Sequence, residues 1–99
     1  MLVTTNAVVI ETYSLFLSRL RDGRREAIAL LDMISGDRYR VERIRVADEK
    51  RAITLVRAHD DKTYSLCDAL SFVVMERLHI KEAIAFDRHF RAYGRFTVL

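Results

Sequence analysis

The 99-residue sequence predicts an α/β domain with a mostly parallel sheet. Short apolar runs that are typical of strands alternate along the chain with longer segments whose apolar residues recur at helical spacing. The sequence contains no proline, and no linker or low-complexity segment divides it. We therefore expect one domain over residues 1–99, long enough to bury about two thirds of the surface that the unfolded chain exposes.

The first half of the chain predicts a strand, two helices and a second strand. Residues 2–4 form a short apolar run, and Asn6 is a suitable cap for a helix that continues to Gly23. A second helix is predicted over residues 24–34. Residues 39–46 alternate strictly between two mixed faces, which is typical of a strand at the edge of a sheet.

The second half predicts two helices and two strands. Asp48 is a suitable cap for a helix that runs through Arg57. Ser65, followed three residues later by Asp68, is the pattern of a capping box at the start of a helix. That helix is apolar on nearly every side, so we expect it to be central and buried. The apolar run at residues 83–86 predicts a covered strand, and a last apolar strand follows near the C-terminus.

Charge and composition narrow the class of partner. The formal net charge is +3, and the cations are 14 Arg against 3 Lys. Arginine presents a forked donor that suits phosphate, which favours a nucleic-acid partner. Most of these side chains are interleaved with acids and are expected to lie on solvated helix faces. The best candidates for a basic rim fall into two sets: Arg19, Arg21, Arg24 and Arg25, and Arg38, Arg40, Arg43 and Arg45.

The sequence also predicts a cytoplasmic protein without a membrane segment. No apolar run approaches the length that spans a bilayer, and no signal peptide is visible because Glu11 interrupts the first apolar stretch. The single Cys67 cannot form an internal disulfide, which fits a reducing compartment.

Three stretches carry a resemblance to a known family. They are S-L-C-D-A-L-S-F-V-V-M-E, then A-I-A-F-D-R-H-F followed by a glycine and an apolar strand, and upstream T-T-N-A-V-V-I-E-T-Y-S-L-F-L. Taken in their order along the chain, they resemble the PIN domain, the fold of the VapC-type toxin ribonucleases. The resemblance covers nearly the whole chain and implies a three-layer α/β/α domain. Its acidic positions fall on Glu11, Asp68 and Asp87.

The resemblance implies a metal-dependent ribonuclease that hydrolyses RNA phosphodiester bonds. Glu11, Asp68 and Asp87 would be the catalytic acids and the metal ligands, directly or through water. Carboxylates about 4 Å apart repel by roughly 4 kcal/mol per pair at an effective dielectric near 20, so a cation would stabilise the cluster. Oxygen ligands without His or Cys indicate Mg²⁺ or Mn²⁺. Thr5, Asn6, Ser65 and Arg88 resemble the polar residues that support these acids or contact phosphate.

Each residue also has a purely structural alternative. Asp68 would be only a capping-box partner, Asp87 only the cap of a short helix over residues 88–93, and Glu11 only a solvated helix residue. We favour the ligand interpretation because three acids occur in the family's order. The remaining candidates are expected to be surface, packing or structural residues; they are His59, His79, His89, Cys67 and Glu76.

The chain begins at the family's second strand, so the resemblance implies that the first strand and its acid are missing. PIN domains place that strand between those matched here by residues 2–4 and 83–86. We expect impaired cleavage from a chain that lacks this acid, and a stable homodimer that covers the exposed strand flanks. An antitoxin protein is the second expected partner, beside RNA. The alternative is a non-catalytic remnant that acts as an oligomeric binding or scaffold module.

Overall fold

The computed structural model describes residues 1–83 and 93–98, and its contacts divide the chain into two compact units, Met1–Ile44 and Arg45–Leu99. The described residues contain four α-helices, and both strand pairs among them are parallel. The α/β class with parallel strands is therefore confirmed. None of the described helices combines the length and the apolar character that a membrane crossing would need.

The first unit has the order strand, helix, helix, strand that the sequence predicted. Its elements are β1 (Leu2–Thr5), α1 (Asn6–Arg19), α2 (Gly23–Ile34) and β2 (Tyr39–Glu42). The two strands pair in parallel, with Leu2 opposite Tyr39 and Thr5 opposite Glu42. The two helices between them supply the long connection that parallel strands need, and Thr5 and Glu42 end at the same edge of the sheet.

The prediction of a strand over residues 39–46 is wrong beyond Glu42, where the strand ends. The backbone N–H of Ile44 donates to the Asn6 side-chain oxygen at 2.9 Å, so it does not extend the ladder with β1. The next helix then begins at Val46. The alternating pattern was correct, but β1 offers backbone partners for only four residues.

The second unit contains α3 (Val46–Ala58), α4 (Leu66–Arg77), β3 (Glu82–Ala83) and β4 (Thr97–Val98). The two short strands pair in parallel, Glu82 with Thr97 and Ala83 with Val98. Of the strand predicted over residues 83–86, Ala83 is described and buried, and residues 84–86 lie outside the described residues. The helix predicted over residues 88–93 also lies outside them, except for Tyr93.

Helix α4 forms the centre of its unit, as its apolar sequence predicted. Six consecutive residues from Ala69 to Val74 are buried, and Phe72 is fully enclosed. The ring of Phe72 stacks on Tyr93 with centroids 4.4 Å apart, and Tyr64 meets Phe72 edge-on at 5.2 Å. Burying an aromatic side chain of this size contributes about 2–3 kcal/mol to the stability of this core.

Helix α1 lies near the surface, and none of its residues is buried. Its apolar side chains are partly open to solvent, with Ile10 64% exposed and Leu17 48% exposed. In α2, by contrast, Ala27 is fully buried. The first unit therefore carries an apolar surface on α1 that its own elements do not cover.

Candidate functional site

The start of α1 lies directly after β1, where Thr5 and Asn6 stand together. Thr5, rather than Asn6, is the N-cap: its hydroxyl oxygen accepts a hydrogen bond from the Val8 backbone N–H at 3.1 Å. Asn6 instead accepts from the Ile44 N–H, which ties the chain after β2 to the start of α1. Both predicted polar residues therefore lie at the carboxyl edge of this sheet, where ligands of parallel α/β proteins bind.

Glu11 lies on the exposed side of α1, five residues after Asn6. Within the described part of the chain its carboxylate makes no hydrogen bond or ion pair. An unpartnered carboxylate on a helix that leaves the ligand edge of a sheet is free to bind a cation. The structure is thus compatible with both the ligand and the solvated-residue interpretations of Glu11.

Asp68 and Ser65 form the predicted capping box at the start of α4. The Ser65 hydroxyl oxygen accepts from the Asp68 N–H at 3.0 Å, and Asp68 Oδ2 accepts from the Ser65 N–H at 3.2 Å. This confirms the capping role, which uses only one oxygen of the Asp68 carboxylate. In the described residues Oδ1 has no partner. Capping therefore fixes the orientation of Asp68 and leaves an oxygen for a metal.

Asp87 and Arg88 lie outside the described residues. Glu11 belongs to the first unit and Asp68 to the second. Among residues 1–83 and 93–98, no three His, Cys, Asp or Glu side chains form a group that could hold a metal ion. The convergence of Glu11, Asp68 and Asp87 on one ion therefore stays a prediction.

The first unit also contains an open cleft of about 360 Å³ beside the start of α1. Its lining combines apolar side chains with an amide, a hydroxyl and a guanidinium; the lining residues are Asn6, Val9, Ile10, Ile34, Ser35, Val41 and Arg43. Asn6 thus belongs both to the sheet edge and to this cleft. The mixture suits an extended segment with apolar side chains and an acidic group better than a free ion.

A buried ion pair in the second unit was missed by sequence reasoning. Asp48 was expected to cap α3, but Arg45 is the N-cap residue and Asp48 lies in the first turn, almost fully buried. Its two oxygens accept from Nε and Nη2 of Arg77 at 3.0 Å each, and Oδ2 also accepts from the Arg45 N–H at 2.9 Å. Burial alone would raise the pKa of Asp48, but these hydrogen bonds outweigh it and hold the pKa below its usual value.

Glu76 has the structural role that the sequence predicted. Its Oε1 accepts from the Tyr93 hydroxyl at 2.8 Å and from Arg95 at 3.0 Å. Burial and the bond to Glu76 raise the pKa of Tyr93 to about 12. The ring of His59, at the end of α3, lies 5.7 Å from Tyr64, which agrees with a packing role.

Comparison with known proteins identifies the family. The model of the PIN domain family matches residues 1–95. The chain belongs to the PIN domain family. It is 39% identical over 92 residues to the 23S rRNA-specific endonuclease VapC20 of Mycobacterium tuberculosis, from the CDC 1551 and H37Rv strains alike. That alignment covers 93% of this chain and 69% of VapC20.

The structural comparison agrees with the sequence comparison. The crystal structure of M. tuberculosis VapC20, described as a Sarcin-Ricin loop cleaving toxin, matches this PIN domain with a TM-score of 0.89 and 36% identity. The match covers 97% of this chain and 72% of the VapC20 chain. Both the predicted family and the predicted fold are therefore confirmed.

Proposed function

We propose that this PIN domain protein is a divalent-metal-dependent endoribonuclease of the VapC toxin type. Its similarity to VapC20, at 39% identity over 93% of the chain, is the observation that carries the proposal. The family match runs across both compact units, from residue 1 to residue 95, which supports a single domain over residues 1–99. PIN nucleases of this class generally depend on divalent metal ions.

The donor set fits a hard divalent cation, and we propose Mg²⁺ or Mn²⁺. Glu11 offers a carboxylate that has no partner among the described residues, Asp68 offers Oδ1, and Asp87 supplies a third acid. The bound metal would lower the pKa of a water and neutralise charge on the scissile phosphate. Ser65 orients Asp68 through the capping box, so this carboxylate needs no reorganisation to act as a ligand.

Contacts to the nucleic acid are proposed for the polar residues beside these acids. The Thr5 hydroxyl oxygen accepts from Val8, and the same hydroxyl can also donate a hydrogen bond. Asn6 uses its side-chain oxygen on Ile44, which orients its NH₂ group as a donor. Arg88 follows Asp87 directly, and its guanidinium suits a phosphate oxygen.

Metal binding can be tested with the substitution Asp68→Asn. Asparagine keeps an oxygen that accepts from the Ser65 N–H, so the capping box survives while the charge is lost. We expect millimolar Mn²⁺ to raise the melting temperature of the native chain, because an ion that binds only the folded state stabilises it. Asp68→Asn should abolish that rise, and Asp32→Asn, at an exposed position of α2, should preserve it.

Cleavage is measured on a synthetic stem-loop with the sarcin–ricin sequence of 23S rRNA, the RNA named for VapC20. Any Mn²⁺-dependent cleavage by the native chain should fall about 100-fold or more in Asp68→Asn, since a lost ligand misplaces the attacking water. Asp32→Asn should cleave like the native chain. A melting temperature indifferent to Mn²⁺, together with cleavage unaffected by Asp68→Asn, would refute the proposed site.

A homodimer is proposed as the functional assembly. Helix α1 buries none of its residues, and Ile10 and Leu17 remain 64% and 48% exposed. Large apolar side chains that are exposed together on one helix are typical of a protein interface. Light scattering should therefore give twice the 11.5 kDa chain mass at micromolar concentration. Leu17→Lys should produce a monomer, whereas Ile53→Lys, at a 44% exposed position of α3, should not.

An antitoxin protein is proposed as the natural inhibitor, because VapC toxins pair with antitoxins. The cleft beside Asn6 is lined by apolar side chains and by Arg43, a combination that suits a short segment with apolar residues and an acidic one. The product of an adjacent antitoxin gene should coelute with the chain and suppress cleavage. Arg43→Glu should weaken that complex, and Arg57→Glu should leave it intact.

A further inference from the structure

The turn between α1 and α2 carries four arginines within seven residues: Arg19, Arg21, Arg24 and Arg25, hereafter the arginine turn. All four side chains are exposed. Residues 19–26 contain only two acids, Asp22 and Glu26, so this short segment holds a net charge of +2 in a chain whose total is +3. Positive charge is therefore concentrated at one end of the α1–α2 hairpin.

The backbone of the arginine turn is held tightly. Gly23 is buried, and a Cβ atom added to it would lie 2.1 Å from the Phe16 carbonyl oxygen. The same oxygen accepts the Leu20 N–H at 3.1 Å, which ends α1 directly against the first residue of α2. The arginines therefore project from two packed helix ends and not from a long loop, so fewer backbone conformations must be lost when they bind a ligand.

Little of this charge is neutralised within the protein. Arg25 lies 3.9 Å from Asp22, and both side chains are mostly exposed, so the attraction is weak. In the described part of the chain, the other three arginines of the turn make no ion pair. The second candidate set differs, because Arg40 binds the buried Glu42 carboxylate at 2.7 Å. In the arginine turn, three of the four guanidinium groups therefore lie outside any ion pair among the described residues.

We propose that the arginine turn binds the phosphate backbone of structured RNA beside the cleavage site. This inference rests on the proposed nuclease function. Arg19 follows Glu11 by eight residues on the same helix, which places the turn about 12 Å from Glu11 along the axis of α1. A structured RNA is longer than this distance, so one that binds at Glu11 can also reach the arginine turn. Guanidinium groups bind phosphate oxygens through paired donors, so they position the RNA without reading its sequence.

The proposal predicts a specific loss of salt-dependent affinity. Each phosphate contact contributes about 0.7 to 0.9 to the slope of log K against log salt concentration. Arg21→Gln combined with Arg24→Gln should lower that slope by about 1.4 to 1.8 and weaken binding about 25- to 60-fold at 0.1 M salt. Lysine at both positions should keep the slope, because the charge is retained.

The experiment measures fluorescence anisotropy of a labelled sarcin–ricin stem-loop, titrated with the full chain in EDTA from 0.05 to 0.3 M salt. EDTA prevents metal-dependent cleavage, so binding is read separately from catalysis. The matched control is Arg51→Gln with Arg57→Gln, which removes the same charge from exposed positions of α3. The control pair should bind with the native slope and within about twofold of the native affinity.

Two outcomes would overturn the proposal. An unchanged slope in the Arg21 and Arg24 double variant would show that the turn does not contact RNA. An equal loss in the control pair would show a general effect of net charge. Failure of the nuclease proposal would give a different result. Neither the native chain nor any variant would cleave the RNA with any metal ion, but the difference in salt-dependence slope measured in EDTA would remain. Circular dichroism of each variant establishes that the helices are intact.

Discussion

The ion pair between Asp48 and Arg77 connects α3 to α4 and gives the sharpest stability prediction. The Asp48 side chain is 2% exposed and that of Arg77 is 16% exposed. Two parallel N–H···O bonds join them, and the Arg45 N–H supplies a third donor to the carboxylate. Removing either partner takes away both of these side-chain hydrogen bonds from a mostly buried site, and breaking a buried pair in this way is costlier than replacing both partners together.

The expected cost follows from that burial. Breaking a buried pair typically costs about 3–5 kcal/mol, and the partial exposure of Arg77 places Asp48→Ala near the lower end, about 3 kcal/mol. Arg77→Met keeps the apolar stem but leaves the carboxylate unpaired, at a similar cost. The free energy of unfolding of the double variant should exceed the additive expectation by about 2 kcal/mol, because both charges of the pair are then removed together. The total free energy of unfolding of a domain of this size is only about 5–15 kcal/mol, so either single substitution removes a large part of it.

The assay is urea unfolding of the four proteins of this double-mutant cycle, followed by circular dichroism. A matched control cycle uses Asp22 and Arg25, an ion pair at 3.9 Å with 68% and 81% exposed side chains, where the coupling should stay below about 0.5 kcal/mol. Additive effects of Asp48→Ala and Arg77→Met would refute the reasoning. The lowered pKa of Asp48 adds a second test. The stability that ionised Asp48 contributes is fully present above its pKa in the unfolded chain and is lost as the pH falls through its pKa in the folded chain. Asp48→Asn should therefore reduce the loss of unfolding free energy at acidic pH.

Further predictions concern the α1–α2 turn and the aromatic core. Gly23→Ala should lower the free energy of unfolding, measured by urea denaturation, by about 2 kcal/mol, because the added Cβ would clash with the Phe16 carbonyl. Gly36→Ala is the control. Its Cβ would lie 3.4 Å from the nearest atom, so the free energy of unfolding should change by less than about 0.5 kcal/mol. Equal effects at the two glycines would contradict the close packing of the turn. The raised pKa of Tyr93, about 12, contributes stability that is complete below pH 10 and is lost as the pH rises through 12. Tyr93→Phe should remove this alkaline loss, and thermal melts from pH 9 to pH 11.5 would detect it; a steep loss that persists in Tyr93→Phe would assign it elsewhere.

The sequence alone determined the order of the elements and the features that depend on near neighbours. The capping box of Ser65 and Asp68 was predicted from a three-residue spacing, and both hydrogen bonds are present. The burial of α4 followed from its nearly continuous apolar composition. These features could be predicted because helix starts and apolar periodicity arise from interactions within about one turn of the chain.

The tertiary structure decided what depends on residues far apart in the chain. The strand that begins at Tyr39 ends at Glu42, and the Ile44 N–H then donates a hydrogen bond to Asn6. Asn6 is 38 positions away in the chain, so local sequence patterns could not predict this bond. Asp48 looked like a helix cap, but Arg77, 29 positions away, makes it half of a buried ion pair. A charged residue in the sequence does not reveal whether an oppositely charged side chain will be buried beside it. Desolvation and ion pairing are fixed only when distant helices pack together.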